Sequence, residues 1–354
     1  GRKDWLILFA KSYKITEPKR FEIFVEDIRN ENVLVRPEIL AVCKADIRYY
    51  LGNRSLNILK RKFPMSLIHE ATGVVIRDKS GKFKSGQRVV LLPCRKSDCD
   101  GTKCEVCVRN NPHLLDNYCP ESKFCSSNYD GFSKELIDLE HEYMIPIPDE
   151  IGVEAVFSEL ISVGCCAMRR AGFTDGEKVK SVTVWGDGIM GFIISLVAKY
   201  GFGCDVNIVG LSKEKLDMFD FANVYYSNDI DSLPRMSVAI EAVGGNASGI
   251  AANQAIDKLY SGGKLILSGV ANENVPLNTR MVLEHGISIR GTTRSVRCDF
   301  EMAVELLKNP DFRAQIKKLL LSVNEVNNIR DYYAIFEKES KSTALGKNIM
   351  KISF

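Results

Sequence analysis

The sequence holds no long apolar run. The longest, Ile189–Ala198, covers about ten residues, roughly half of what a bilayer span requires. No membrane span is therefore expected. An excess of one charge is missing too: 48 Lys and Arg stand against 45 Asp and Glu, a net +3. So small a field gives no reason to expect nucleic acid or a membrane surface as a partner. Basic runs such as Lys60–Arg61–Lys62 read as solvated faces. Internal repeats and low-complexity linkers are lacking. A secretory signal is not expected either, since Arg2, Lys3 and Asp4 precede only the short apolar run Trp5–Ala10. The expected location is cytoplasmic, where thiols stay reduced. The 11 cysteines then read as metal ligands or free thiols rather than disulfides.

What is present fits a globular chain. Its 354 residues, 45% hydrophobic and 26% charged, are too many for one ordinary core and imply two domains. Up to Glu150, short strand-like runs alternate with polar turns: Phe21–Val25, Val33–Pro37, Ala71–Ile76 and Gln87–Leu92. This half reads as an irregular antiparallel β domain. From Ile151 the texture changes. Glu154–Arg170 has helical spacing, Ser181–Trp185 reads as a strand and Phe192–Tyr200 as a helix. Val206–Val209, Val238–Glu241 and Lys264–Ser268 read as further strands, with helical stretches between them. Such alternation predicts a doubly wound parallel sheet and places the chain in the α/β class. The pattern closes near Ile287–Arg290, and the tail ends in the strand-like Gly346–Phe354.

Three constellations carry chemistry. Cys43, His69 and Glu159 offer a thiolate, an imidazole and a carboxylate, a set suited to a zinc ion with an open fourth position. Asp46 is placed to orient a ligating His, and Glu70 to exchange with water at the metal. The second constellation is a burst of six cysteines between Cys94 and Cys125. Cys99, Cys104, Cys107 and Cys119 make the preferred quartet for a closed structural zinc, with Cys94 and Cys125 as rivals. A lobe of reduced thiols without metal is the plainer alternative. Third, Gly186–Asp187–Gly188–Ile189–Met190–Gly191 follows a strand and opens a helix, the context a dinucleotide fingerprint requires. At the end of the next strand, where an NAD site has an acid, stands Gly210. Gly there leaves room, and Ser212, Lys213 and Lys215 offer donors to a 2′-phosphate, so NADP(H) is expected; a merely solvated helix start is the alternative.

Taken together, Pro64, His69–Glu70, Gly73, the cysteine burst and the later fingerprint resemble the zinc-containing medium-chain dehydrogenase/reductase superfamily over essentially the whole chain. Glu159 followed by Arg169–Arg170 is similar to the polyol dehydrogenases, whose third protein position is Glu. Four further stretches resemble the ribitol-5-phosphate dehydrogenases: Asp46 with Arg48–Tyr49–Tyr50, Pro64–Glu70, Trp185–Gly188 and Asn278–Arg280.

The resemblance implies a GroES-like zinc domain over 1–155 and 291–354 and a Rossmann NADP-binding domain over 156–290. It implies catalytic and structural Zn2+ and reduction of ribulose 5-phosphate to ribitol 5-phosphate with NADPH. The product would feed CDP-ribitol for teichoic-acid-like surface polymers, with a cytidylyltransferase as a pathway partner and a homo-oligomer, dimer or tetramer, as the assembly. Arg48, with Arg294 as a second cation, is expected to meet the substrate phosphate, and Tyr49 or Tyr50 the sugar hydroxyls. Two departures stand out. Lys44 and Ala45 follow the zinc Cys where many members begin a hydroxyl proton relay, and Ile68 replaces the common Gly before the zinc His. Two other readings remain: a zinc polyol or alcohol dehydrogenase on an unphosphorylated substrate, and a non-catalytic cofactor-binding protein on the same fold.

Overall fold

The computed structural model describes residues 7–96, 116–173 and 181–354. Contacts divide the chain into two compact units. One comprises Gly1–Glu159, Val296–Lys308 and Ile316–Phe354; the other comprises Leu160–Ser295 and Asn309–Gln315.

The first unit is built on antiparallel strands. Val33–Ala41 is its spine, buried at nearly every position, because it pairs on one side with Glu70–Asp78 and on the other with Lys347–Ile352. Arg88–Leu91 and Met144–Pro146 extend the sheet beyond Glu70–Asp78, and Leu320–Val326 adds a parallel edge to Lys347–Ile352. A smaller sheet runs Arg20–Arg29, Ile7–Glu17, Met65–Ser66. The strands predicted at Phe21–Val25, Val33–Pro37 and Ala71–Ile76 are all present and extend further than alternation showed. The helix Ile329–Lys341 covers this unit with an aromatic cluster. Tyr332 and Phe336 meet Phe21 edge-on at 4.8 Å, and Phe21 stacks on Tyr50 at 5.5 Å.

In the second unit six parallel strands pair in the order Asn223–Tyr226, Asp205–Gly210, Ser181–Trp185, Met236–Glu241, Leu259–Leu267, Ser288–Gly291. Numbered along the chain this is 3-2-1-4-5-6, the doubly wound order whose crevice opens at the carboxyl ends of the first and fourth strands. The helix predicted near Phe192–Tyr200 begins earlier, at Ile189, and continues past Leu196 as a π-turn over Val197–Gly201. Strand and helix are so close that two glycines are obligatory. Gly186 has φ 125°, and a Cβ on Gly191 would lie 1.7 Å from the Gly186 carbonyl oxygen. Among the described residues no helix is long and apolar enough to cross a membrane.

Gly191→Ala should lower the unfolding free energy by about 1–3 kcal/mol or more through overpacking. Gly188→Ala, with nothing within 4 Å of its would-be Cβ, should leave the urea midpoint near wild type. Equal midpoints for the two variants would contradict the packing.

Candidate active site

The thiol of Cys43 sits where the spine strand turns into the helix Lys44–Tyr50. It caps that helix: Asp46 N donates to Cys43 Sγ at 3.3 Å, and Cys43 N donates back to the Asp46 carboxylate at 3.0 Å. A cysteine thus takes the place of the usual Ser or Thr in a reciprocal cap. The other Asp46 oxygen accepts from Ile68 N at 3.1 Å and from the Ser126 hydroxyl. Asp46 was expected to orient the imidazole. It instead holds backbone on both flanks, joining the Cys43 turn to the residue before His69.

Ile68 is itself strained, with φ 74° and no solvent exposure. A β-branched residue with positive φ is a genuine outlier, and this one explains why Gly is common at that place. Its carbonyl accepts from Phe132 N at 2.8 Å, and Gly131 presses so close that a Cβ there would lie 2.4 Å from the same oxygen.

One ligand atom each of Cys43, His69 and Glu70 lie within 4.8 Å of one another; no other such group of three occurs among the described residues. Cys43 Sγ is 3.9 Å from His69 Nδ1. Thiol, imidazole and carboxyl form a donor set that fits zinc. Glu159, second residue of the helix Ser158–Arg170, is 5% exposed and lies outside that tight group. Burial, opposed by His69 and aided by Glu70, pushes its carboxyl up to about 7. Burial likewise raises the Cys43 thiol, with Asp46 and Glu70 adding to the effect.

Lys347 is the residue that sequence reasoning missed. Buried on the strand beside the spine, its Nζ donates to both Glu70 oxygens, at 2.7 and 2.5 Å, and to the Val42 carbonyl at 3.0 Å. Glu70 is therefore a carboxylate already paired. The only hint in the sequence was that the strand-like Gly346–Phe354 carries two lysines, Lys347 and Lys351, and nothing local tells which of them is buried.

The predicted substrate residues separate. Tyr50 is committed to the core: its hydroxyl donates to Glu337 at 2.5 Å, and its ring stacks on Phe21. Tyr49 is buried as well, but two cations gather on it. Arg54 lies over its ring at 4.7 Å, and Lys62 Nζ donates to its hydroxyl at 2.9 Å. Arg48 is half-buried, and its pKa is lowered by burial and then by Arg54 beside it. Arg294, in the second unit, is half-buried with φ 55°.

Of the structural-zinc quartet, Cys99, Cys104 and Cys107 lie outside the described residues. Cys119 and its rival Cys94 are half-buried, and Cys125 is buried.

In the second unit Gly188 caps the helix Ile189–Leu196, with open space where a side chain would stand. The room beside Gly210 is not open. A Cβ there would lie 2.7 Å from Asp187 Cβ, and Asp187 Oδ2 accepts from Leu211 N and Ser212 N at 2.8 and 2.7 Å. The expectation that Gly210 leaves a void is corrected accordingly. Ser212 caps the short helix Lys213–Leu216, while Lys213 forms an exposed pair with Asp217 at 2.9 Å. Glu241, also unforeseen, ends the fourth strand and accepts from Val243 N, Gly244 N and Gly269 N.

Residues 29–149 match the alcohol dehydrogenase GroES-like domain. The chain is 34% identical over 345 residues to ribulose-5-phosphate reductase 1 of Staphylococcus aureus, covering 96% of this chain and 98% of that protein. It belongs to the ribulose-5-phosphate reductase family of medium-chain dehydrogenases. A ribulose-5-phosphate reductase of Bacillus spizizenii is equally similar, 34% over 350 residues, with 97% and 99% covered. The crystal structure of S. aureus TarJ in complex with NADPH matches at TM-score 0.84 and 30% identity, over 98% of this chain and 100% of that one.

Three outcomes test the site. Lys347→Met should strand a buried carboxylate and cost about 3–5 kcal/mol in urea unfolding, with part recovered when Glu70→Gln is added. Zinc affinity should rise with pH through about 7, because burial keeps protons on Glu159 and Cys43 that a metal must displace. In the metal-free protein the same Glu159 shift makes stability fall as pH rises from 4.5 to about 7, since the unfolded carboxyl releases its proton first. Chelator competition at about pH 6 and about pH 8 measures the affinity; equal values would refute the assignment.

Proposed function

We propose that this chain reduces the ketone of ribulose 5-phosphate to ribitol 5-phosphate with NADPH, in the cytoplasm and as a homo-oligomer. The single observation that carries the phosphorylated substrate is the gathering of Arg48, Arg54 and Lys62 around Tyr49, on and beside the helix that Cys43 caps. Burial first, and then the neighbouring Arg54, disfavours the charge on Arg48. Arg54 Nε is buried with no hydrogen-bond partner among the described residues. An anion relieves both costs, and an Arg fork suits phosphate oxygens.

Cys43, His69 and Glu159 would hold the zinc, with Glu70 within reach. A zinc ion bound there supplies Lewis acidity to the carbonyl oxygen, and a bound nicotinamide supplies the hydride. The chain's own residues prepare these events. Asp46 fixes the Cys43 and His69 segments, Lys347 pairs with the buried Glu70 carboxyl group and holds it in place, and the three cations hold the phosphate end. The GxGxxG turn, with its open Gly188, accepts the pyrophosphate at the start of the helix Ile189–Leu196. Ala45 carries no hydroxyl, so the proton that completes the alcohol does not come through the usual relay position. The product, a pentitol phosphate, suits cytidylyl transfer to CDP-ribitol, which makes a cytidylyltransferase the natural partner in the pathway.

NADPH consumption with ribulose 5-phosphate, set against ribulose and NADH controls, tests the reading. Cys43→Ser should abolish turnover while NADPH binding persists. Arg54→Ala and Arg48→Ala should raise KM for ribulose 5-phosphate by about tenfold or more, with little effect on NADPH. Equal loss with phosphorylated and unphosphorylated substrates would favour a zinc polyol dehydrogenase without phosphate recognition.

A further inference from the structure

In dinucleotide folds the end of the second strand is where an acid meets the ribose 2′-hydroxyl. Gly210 occupies that place here, and its neighbourhood is filled from elsewhere in the fingerprint. A Cβ at position 210 would lie 2.7 Å from Asp187 Cβ, 2.8 Å from Asp187 Oδ2 and 2.9 Å from Leu216 Cδ2. Separations under about 3 Å are not tolerated between packed atoms, so something must shift. A strand-end acid and Asp187 therefore exclude each other.

Asp187 also has a task of its own. Its Oδ2 takes the backbone N–H groups of Leu211 and Ser212, at 2.8 and 2.7 Å. Both bonds converge on one oxygen, which spends the carboxylate's charge on main-chain amides. The turn so fixed carries Ser212 at the cap of the next helix, with Lys213 and Lys215 on that helix.

We propose that Asp187 is a positioning and specificity-determining residue of the adenosine-ribose subsite. It pins the Leu211–Ser212 turn in the form that presents donors to a 2′-phosphate, and it bars the acid that would select a 2′-hydroxyl. Positions 187 and 210 thus act as one coupled pair: Asp with Gly for the phosphate, a small residue with Asp for the hydroxyl. This rests on the NADP(H) reading given above.

The test measures dissociation constants for NADPH and NADH by cofactor fluorescence on the full-length protein, with Tm recorded for each variant. Asp187→Asn keeps an oxygen that accepts the same two N–H groups, and should preserve both Tm and the NADPH preference. Asp187→Ala should weaken NADPH about tenfold and NADH less, since two hydrogen bonds to the turn are lost. Gly210→Asp alone should lower Tm and weaken both cofactors. Combining Gly210→Asp with Asp187→Ala should recover Tm and shift the NADPH-to-NADH ratio at least about tenfold toward NADH. The proposal is overturned if Gly210→Asp alone keeps the wild-type Tm and prefers NADH. It is equally overturned if Asp187→Ala leaves the ratio unchanged, or if the Tm effects of the two substitutions simply add. A wild-type protein that binds NADH more tightly would sink the NADP(H) reading instead; the coupling of 187 and 210 would still be decided by the Tm values.

Discussion

One buried carboxylate holds the metal-binding half of the molecule together. Asp46 has no solvent exposure, and it accepts from Cys43 N, Ile68 N and the Ser126 hydroxyl. These three donors come from segments far apart in the chain, so one side chain fixes the relation between the candidate ligands Cys43 and His69. A carboxyl group buried so deeply must have its polar atoms satisfied, and these donors do that. The same contact keeps Ile68 in a backbone region that costs about 1–3 kcal/mol for a residue other than Gly. Rigidity before ligand arrives is what a metal site needs if coordination is not to pay for ordering the loops.

The second unit uses the same device. Asp187 holds the turn after the second strand, and Glu241 holds the loops after the fourth and fifth. In each case a carboxylate is fastened to backbone amides at the carboxyl edge of the sheet, where such folds bind ligands. Loops at that edge have little apolar surface to bury. Short charge-assisted bonds to main-chain N–H groups give them a defined shape without a hydrophobic core.

Much of this was legible in the sequence, for physical reasons that can be named. Buried parallel strands such as Ser181–Trp185 announce themselves as β-branched apolar runs, and Gly186 and Gly191 as positions where no side chain fits. Cys43 and His69 were legible because few residue types bind zinc. Partners fixed by tertiary pairing were not. Lys347 meets Glu70 across 277 positions of chain, and no local pattern encodes that meeting. The partner of Tyr50 was hidden for a similar reason: its hydroxyl finds Glu337 on a helix that only the folded unit brings near. The role of Asp187 escaped because a fingerprint's variable position looks unconstrained until the turn it supports is seen.

The long span between Glu70 and Lys347 also has a consequence for biogenesis. As the chain is synthesised, Cys43, His69 and Glu70 emerge long before the strand that carries Lys347. Until that strand docks beside Val33–Ala41, Glu70 lacks its counter-charge and the sheet lacks a central neighbour. The pair that steadies Glu70 is therefore a property of the assembled sheet, absent from any shorter stretch that carries the metal ligands alone.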